Sequence, residues 1–378
     1  MDRSKWEYKK LGEVATFLNG YAFKPENWSK HGLKIIRIQN LTDETSPYNC
    51  YDGEIDSKYI VRNGDLLISW SATLGAFLWN NDDALLNQHI FKAIFDKSDI
   101  DKYYLKYCVI SKLEEMAKKT HGVTMRHITK KDFDNTIIPY PSLSDQQRIV
   151  AELDCLNEMI AVKKEQLKEF DKLAQSIFYD MFGDPVVNEK GWDINSMSEV
   201  CNGIGDGLHG TPQYDADGEI AFINGNNLIE GKIVITERTQ FVNENEAKKI
   251  YVELDSNTIL LSINGTLGKT AIYNNERVVL GKSACYLRFG NLLNVRFVMA
   301  LMNTDEFLHF LENNSSQSTI KNVGLKAIRN YKIIIPPLSL QQQFAEKISA
   351  IEAQKELVKQ SIAETQHLLD YTMDKYFG

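Results

Sequence analysis

Several short stretches of this 378-residue chain hold residues of the types that do chemistry, and each is let down by its neighbours. GTLGKT at 265–270 ends like a phosphate-binding loop, in which backbone amides cradle phosphate while a lysine and a hydroxyl reach the terminal phosphate and its metal. The glycine that loop needs five positions before Gly268 is Ile263, and the matching TLGAF at 73–77 has no lysine. GIGDG at 203–207 is glycine-rich but lacks the strand before it and the apolar helix after it that a dinucleotide site requires. IIPPL at 334–338 has the two prolines of an adenine methyltransferase loop, with Ile335 where an Asn or Asp must hold the amino group. His121 and His127 have no Cys or carboxylate at ligand spacing. The expectation is a chain with no catalytic residue, no metal site and no cofactor of its own.

Reading the edges of bases asks for other residues: Arg, Lys, Asn, Gln, Ser and Thr on loops, where bidentate donors and acceptors can face a groove while neighbours hold phosphates. KKTHGVTMRHITKK at 118–131 supplies Lys118, Lys119, His121, Thr124, Arg126, His127, Lys130 and Lys131 with no acid among them. NNSSQSTIKNVGLK at 313–326 supplies Gln317, Ser318, Thr319, Lys321 and Lys326. Asn87, Gln88 and His89, then Asn224, Asn226, Asn264 and Lys269, complete the candidates. Trp70 and Tyr21 read as packing residues rather than base-stacking ones.

What must position these loops is a repeated scaffold. PSLSDQQRIVAEL at 141–153 is answered by PPLSLQQQFAEKI at 336–348, so that Leu143 and Leu338 lie 195 residues apart. WEYKKLGEV at 6–14 is answered by WDINSMSEV at 192–200, and DLLISWSATLG at 65–75 by TILLSINGTLG at 258–268. A repeat this long makes each half one unit of the fold. Each half opens with short β-type runs, among them LKIIRIQNL and LNQHIFKAIF in the first and KIVITERTQF and ACYLRFG in the second, bounded by Gly, Asn and Asp. A helical pattern follows at 102–118 and 294–313. The spacing predicts an α+β globule in each half.

Beyond each proline segment the pattern changes. Leu153, Leu156, Ile160, Leu167, Phe170 and Ile177, with Lys163 and Ala174 between them, recur at alternating steps of three and four, and Ile348, Ile351, Val358, Ile362 and Leu369 keep the same register. Two long amphipathic helices are expected, capped at Ser144 or Asp145 and at Ser339, the first stopping at Gly183 before Pro185. The narrow seam and Lys/Glu-rich outer face suit a two-helix coiled coil, antiparallel if the duplicated halves are related by an approximate two-fold. The organisation expected is a globule at 1–144, a helix at 145–184, a second globule at 185–339 and a second helix at 340–378.

The net charge of −8 opposes simple polyanion binding. The acidity concentrates in the helical stretches: residues 145–184 hold 5 basic and 9 acidic side chains and residues 340–378 hold 4 and 6, against 20 and 19 in residues 1–144. Local basic patches, or a partner, would have to grip DNA. The five scattered cysteines read as reduced and mostly buried, and the charged start MDRSKWEYKK, with no 18-residue apolar run, predicts a soluble cytoplasmic protein without a membrane span.

The order of globule, LSxQQ helix, globule and LSxQQ helix, with the TLG segments at 73–75 and 266–268, FGD after the first helix and FG at the end, resembles the specificity subunit of type I restriction-modification enzymes. The resemblance spans essentially the whole chain. It implies two target recognition domains, each reading half of a bipartite sequence in double-stranded DNA, held apart by paired helices that dock two methyltransferase subunits, with restriction and translocase subunits in the full complex. It further implies that S-adenosylmethionine, ATP and Mg2+ are bound by partner subunits only. A competing reading is a coiled-coil adaptor whose globules bind proteins.

Overall fold

A computed structural model gives the fold and describes residues 3–43, 45–119 and 129–378, with the side chains of Lys5, Glu114 and residues 116–119 outside that description. The chain divides into two units: Met1–Lys164 with Gln360–Gly378, and Glu165–Lys359. Each unit therefore owns part of both long helices.

In the first unit, strands Thr16–Asn19, Ile90–Ile94, Leu66–Ser69 and Gly75–Leu78 form an antiparallel sheet in that spatial order. A second sheet runs Asn49–Tyr51, Leu33–Ile36, Ala84–Leu86, Ile60–Val61, its central pair parallel. The second unit repeats the first sheet as Cys201–Asp206, Ala284–Phe289, Thr258–Ser262, Thr270–Ile272, and the second with three strands, Gln240–Val242, Ile220–Ile223, Val278–Leu280, the last two parallel. Leu66–Ser69 and Thr258–Ser262 are buried at every position, which is why they read as unbroken apolar runs rather than alternations.

Several elements depart from the sequence reading, LKIIRIQNL among them, where strand Leu33–Ile36 gives way to helix Ile38–Thr42. KIVITERTQF is not one strand: Lys232–Ile233 and Gln240–Val242 are separated by a turn in which Asn227 donates to Val234 O and Thr239 Oγ1. The pattern at 294–313 is two helices, Val295–Met302 and Asp305–Asn313, because Thr304 caps the second through the amide of Phe307. The cap of the first long helix is Ser142, not Ser144 or Asp145: its Oγ accepts the Asp145 amide and donates to the Asp145 carboxylate. Likewise Ser339 lies inside its helix, whose first turn starts from the carbonyl of Pro337.

The long helices are Leu143–Phe182 and Leu338–Phe377, 40 residues each and so about 60 Å long. The first stops where Gly183 turns to φ +75 and returns its amide to Tyr179 O. A short ribbon feeds each start, Glu7–Lys10 against Ile137–Tyr140 in one unit and Asp193–Ser196 against Lys332–Ile335 in the other. The LSxQQ segment then acts as a clamp. Gln146 and Gln341 are wholly buried, and each donates to the carbonyl five residues back, Pro141 or Pro336. Each accepts a distant amide, from Asp101 or Asn294, at 2.8 Å.

Within the first unit the two helix segments run antiparallel: Glu152 accepts from Tyr376 and Lys163 Nζ reaches Thr365 Oγ1 at 2.8 Å. Leu153, Leu156 and Ile160 are buried with Leu369, and Ile362 packs on them half-buried. They share that core with Leu11, Tyr104 and Leu105 of the globule, so the helix is a wall of the globule as well as half of a pair. Burial of each such side chain contributes about 1.5–3 kcal/mol. Tyr107 ties the two together, donating to Asp154 and accepting from Asn157; burial above all, then the Asp154 bond, pushes its hydroxyl pKa up. In the second unit Phe344, Ile348 and Ile351 meet Phe178 and Phe182, with Phe170 and Ile177 half-buried at the edge, and Lys355 pairs with Asp171. Leu167 and Val358 are half-buried.

Of the five cysteines, all free, Cys108 and Cys285 are buried, Cys50 and Cys201 half-buried and Cys155 exposed, fewer buried than the sequence reading expects. No helix among the described residues is long and apolar enough to cross a membrane.

Candidate functional site

Four loops of the second unit converge on an open concavity of about 580 Å³. Its walls are the segment 208–211, the turn 224–226, the turn 264–266 after strand Thr258–Ser262, and the tip 281–283, which links strand Val278–Leu280 of one sheet to Ala284–Phe289 of the other. The sequence makes this corner in a definite way. A Cβ on Gly207 would lie 1.9 Å from Leu280 O, so only glycine lets the 208–211 segment cross the end of the parallel strand. Leu208 then exchanges bonds with the tip, giving its amide to Leu280 O and taking that of Lys282. Asn227 folds the second wall, accepting the Asn224 amide, and Ser262 holds the third through Thr266 O.

The first unit builds the same frame from equivalent residues. Gly20 stands where its Cβ would lie 2.0 Å from Asn87 O; Tyr21 gives its amide to Leu86 O and accepts that of Gln88; Asn40 accepts the Arg37 amide; Ser69 Oγ bonds Ser71 O. Ala72 takes φ +57 where the second copy has Gly265 at φ +77. Framework residues thus repeat as Gly20/Gly207, Asn40/Asn227 and Ser69/Ser262, although Ser69 bonds the carbonyl of Ser71, the counterpart of Asn264, where Ser262 bonds that of Thr266. The side chains the frame presents do not: Arg37 against Asn224, Gln39 against Asn226, Ser71 against Asn264, Gln88 against Lys282.

Among the sequence candidates, Asn224, Asn226 and Asn264 line the concavity. Asn264 bonds Asn322, and Gly265 gives its amide to Lys321 O, which straps the 313–326 segment beside it. Gln317, Ser318 and Thr319 are exposed on that strap, while Lys321 faces Glu312 at 3.6 Å. Lys326 is exposed on helix Leu325–Asn330, and Lys269 is half-buried on the hairpin, outside the concavity's lining. Gln88 occupies the equivalent tip of the first unit, between strands Ala84–Leu86 and Ile90–Ile94 of different sheets; Asn87 is half-buried in a bridge to Tyr21, and His89 takes φ +72 with its ring 5.1 Å from that of Trp70. Lys130 is held by Asp134 at 2.5 Å, and Lys131 is exposed. His121, Thr124, Arg126 and His127, and the side chains of Lys118 and Lys119, lie outside the described residues. Trp70 stacks on the core residue Phe91, whereas Tyr21 is 43% exposed.

Sequence reasoning missed Lys282 and His209, both in the lining of the concavity. The signal for Lys282 was present: GKS at 281–283 falls where the first half has NQH at 87–89 once the halves are aligned. His209 lines the concavity with Nε2 2.7 Å from Asp206. Among the described residues no group of three or more His, Cys, Asp or Glu side chains could hold a metal.

The duplicated frame coincides with a duplicated family profile. The type I restriction modification DNA specificity domain matches residues 3–171 and again residues 189–367. The chain belongs to this family. The type I restriction enzyme EcoBI specificity subunit of Escherichia coli is 21% identical, over 94% of this chain and 81% of its own. The MjaVIII specificity subunit of Methanocaldococcus jannaschii is 20% identical, over 92% and 86%. The fold is similar to that of a type I restriction-modification S subunit from M. genitalium (TM-score 0.54, 15% identity, 99% of this chain and 96% of that one). It is also similar to a chain solved in work on complex assembly and conformational transition of the type I R-M system (TM-score 0.60, 21% identity, 98% and 97%). As a type I specificity protein with two specificity domains, the chain carries the α+β architecture and DNA-recognition role expected from its sequence, and the adaptor reading is not favoured.

Proposed function

We propose that this chain is the non-catalytic, cytoplasmic sequence-reading subunit of a type I restriction-modification complex. Each unit reads one half of a bipartite duplex target through its polar cleft, and the long helices set the separation of the halves and dock two methyltransferase subunits. Restriction and translocase subunits join in the full complex, and S-adenosylmethionine, ATP and Mg2+ are bound by the partners. The observation that carries this reading is one loop frame built twice, on the same glycine, asparagine and serine positions, with different donors and acceptors set into it. A reader of two unlike half-sites needs a common scaffold and unlike side chains. The acidic net charge places much of the phosphate affinity on the partners.

The test is an exchange of residues 190–330 for the same region of a relative, with the methylated sequence mapped genome-wide. One half-site should change while the other half and the spacer stay. Adding a helical turn within 145–182 should lengthen the spacer alone. A chimaera in which both half-sites change, or a continuous target without a spacer, overturns the proposal.

A further inference from the structure

The tips 87–89 and 281–283 share one feature besides their place in the frame. Lys282 is exposed in the lining of the second unit's concavity, and among the described residues its Nζ has no hydrogen-bond or ion-pair partner. Gln88 of the first unit is half-buried, and among the described residues its side-chain amide likewise has no hydrogen-bond partner. Neighbouring polar groups are partly committed: Asn264 donates to Asn322, and Asn224 Oδ1 accepts the Asn226 amide. Meanwhile the backbone at both tips is fixed by the same bond, Lys282 N to Leu208 O at 3.0 Å and Gln88 N to Tyr21 O at 2.9 Å. An uncommitted side chain on a pinned backbone, beside the loops of a repeated frame, is the arrangement a direct contact to a base requires.

Resting on the reading above, we infer that Gln88 and Lys282 are paired specificity-determining residues that read different base classes from the same place in the two units. The chemistry of each assigns the base. A lysine ammonium has three donors and no acceptor, so it suits an edge with acceptors alone: the O6 and N7 of guanine. A glutamine amide gives one bond and takes one, which matches the N6 donor and N7 acceptor of adenine. Lys282 therefore selects a guanine in the half-site of the second unit, and Gln88 an adenine in that of the first.

The experiment uses the full chain expressed with its own methyltransferase subunits in cells lacking other adenine methylation, with the methylated sequence mapped for the parent, Lys282→Gln and Gln88→Lys. Lys282→Gln is expected to change guanine to adenine at one position of one half-site, and Gln88→Lys to make the opposite change in the other half. Methylation of the parental sequence by both variants overturns the inference and leaves two-part recognition standing. Evenly weakened binding to all sequences, with a shallower salt dependence, assigns these side chains to phosphates and also overturns it. If methylation by the parent assembly does not depend on this chain, the functional reading itself fails. Should one variant not accumulate, the reciprocal one decides alone, since each predicts a named change in a different half.

Discussion

Gln146 takes the amide of Asp101 at 2.8 Å across 45 residues of chain, and Gln341 does the same for Asn294 in the other unit. The first glutamine of each LSxQQ motif is thus the bolt between a long helix and its globule. Gln146→Ala strips partners from that amide and from the carbonyl of Pro141, and should lower the stability of the first unit by on the order of 2 kcal/mol. Gln341→Ala should do the same to the second unit, and the two effects should add. Urea unfolding followed by tryptophan fluorescence measures both.

Ala72 and Gly265 hold the same left-handed position in the two frames. An alanine there carries roughly 1–2 kcal/mol of backbone strain, against about 0.5–1 kcal/mol of extra chain entropy that a glycine loses on folding. Ala72→Gly should therefore stabilise the protein by about 0.5 kcal/mol. Gly265→Ala should destabilise it by a similar amount through φ alone, since nothing lies within 4 Å of its Cβ position. Opposite shifts in thermal midpoint are the expected result.

Gly207→Ala differs in kind, because its Cβ would press on backbone, Leu280 O at 1.9 Å. The strand end must move, at a cost of about 1–3 kcal/mol. The 208–211 wall moves with it, so reading of the second half-site should fall while the first is kept. Methylation mapping of Gly207→Ala beside Gly20→Ala should show loss in opposite halves.

Leu156 and Ile362 belong to one core, the first buried and the second half-buried against it. Leu156→Asp or Ile362→Asp places a charge there, costing several kcal/mol before relaxation. The first unit should unfold at lower urea and methyltransferase assembly, followed by sedimentation, should be lost.

The thiols give a pH dependence. Burial pushes Cys201 up from its ordinary 9.0 to about 12, and pushes Cys108 and Cys285 up as well. The unfolded chain thus releases these protons first, so their contribution to stability is whole below pH 9 and is lost as pH rises towards 12. Cys155, exposed, should react with a thiol reagent in the native protein, while Cys108 and Cys285 should react only on unfolding.

The long helices were legible because a three-four apolar rhythm is a local signal, as were the buried strands LLIS and TILLS. Their caps were less so: Ser142, Ser144 and Asp145 all satisfy the composition of a cap, and it is the Ser142 hydroxyl that takes the Asp145 amide. The cleft was legible in part. Asn224, Asn226 and Asn264 stood out as polar loop residues, but Lys282 joins them only because a parallel strand pair brings residue 223 beside residue 280. Nothing local at Lys282 announces that neighbour. Gln146 was read as part of a helix start, whereas its acceptor role depends on Asp101, a partner that tertiary packing supplies.

Because the first unit is completed by residues 360–378, with Arg3 donating to the carbonyls of Lys375 and Gly378, the order of its manufacture differs from the order of its assembly. On the ribosome, residues 3–164 emerge first and then wait while 165–359 are translated, on the order of 10–40 s at cellular rates. During that wait Leu153, Leu156 and Ile160 lack Leu369 and Ile362, an interval in which a nascent chain is open to chaperones, to proteases and to the same helix from a neighbouring polysome. The second unit, begun later, holds all its pieces between 165 and 359 and closes sooner. The half of the target that is read by the first-made part of the chain is the half whose reader matures last.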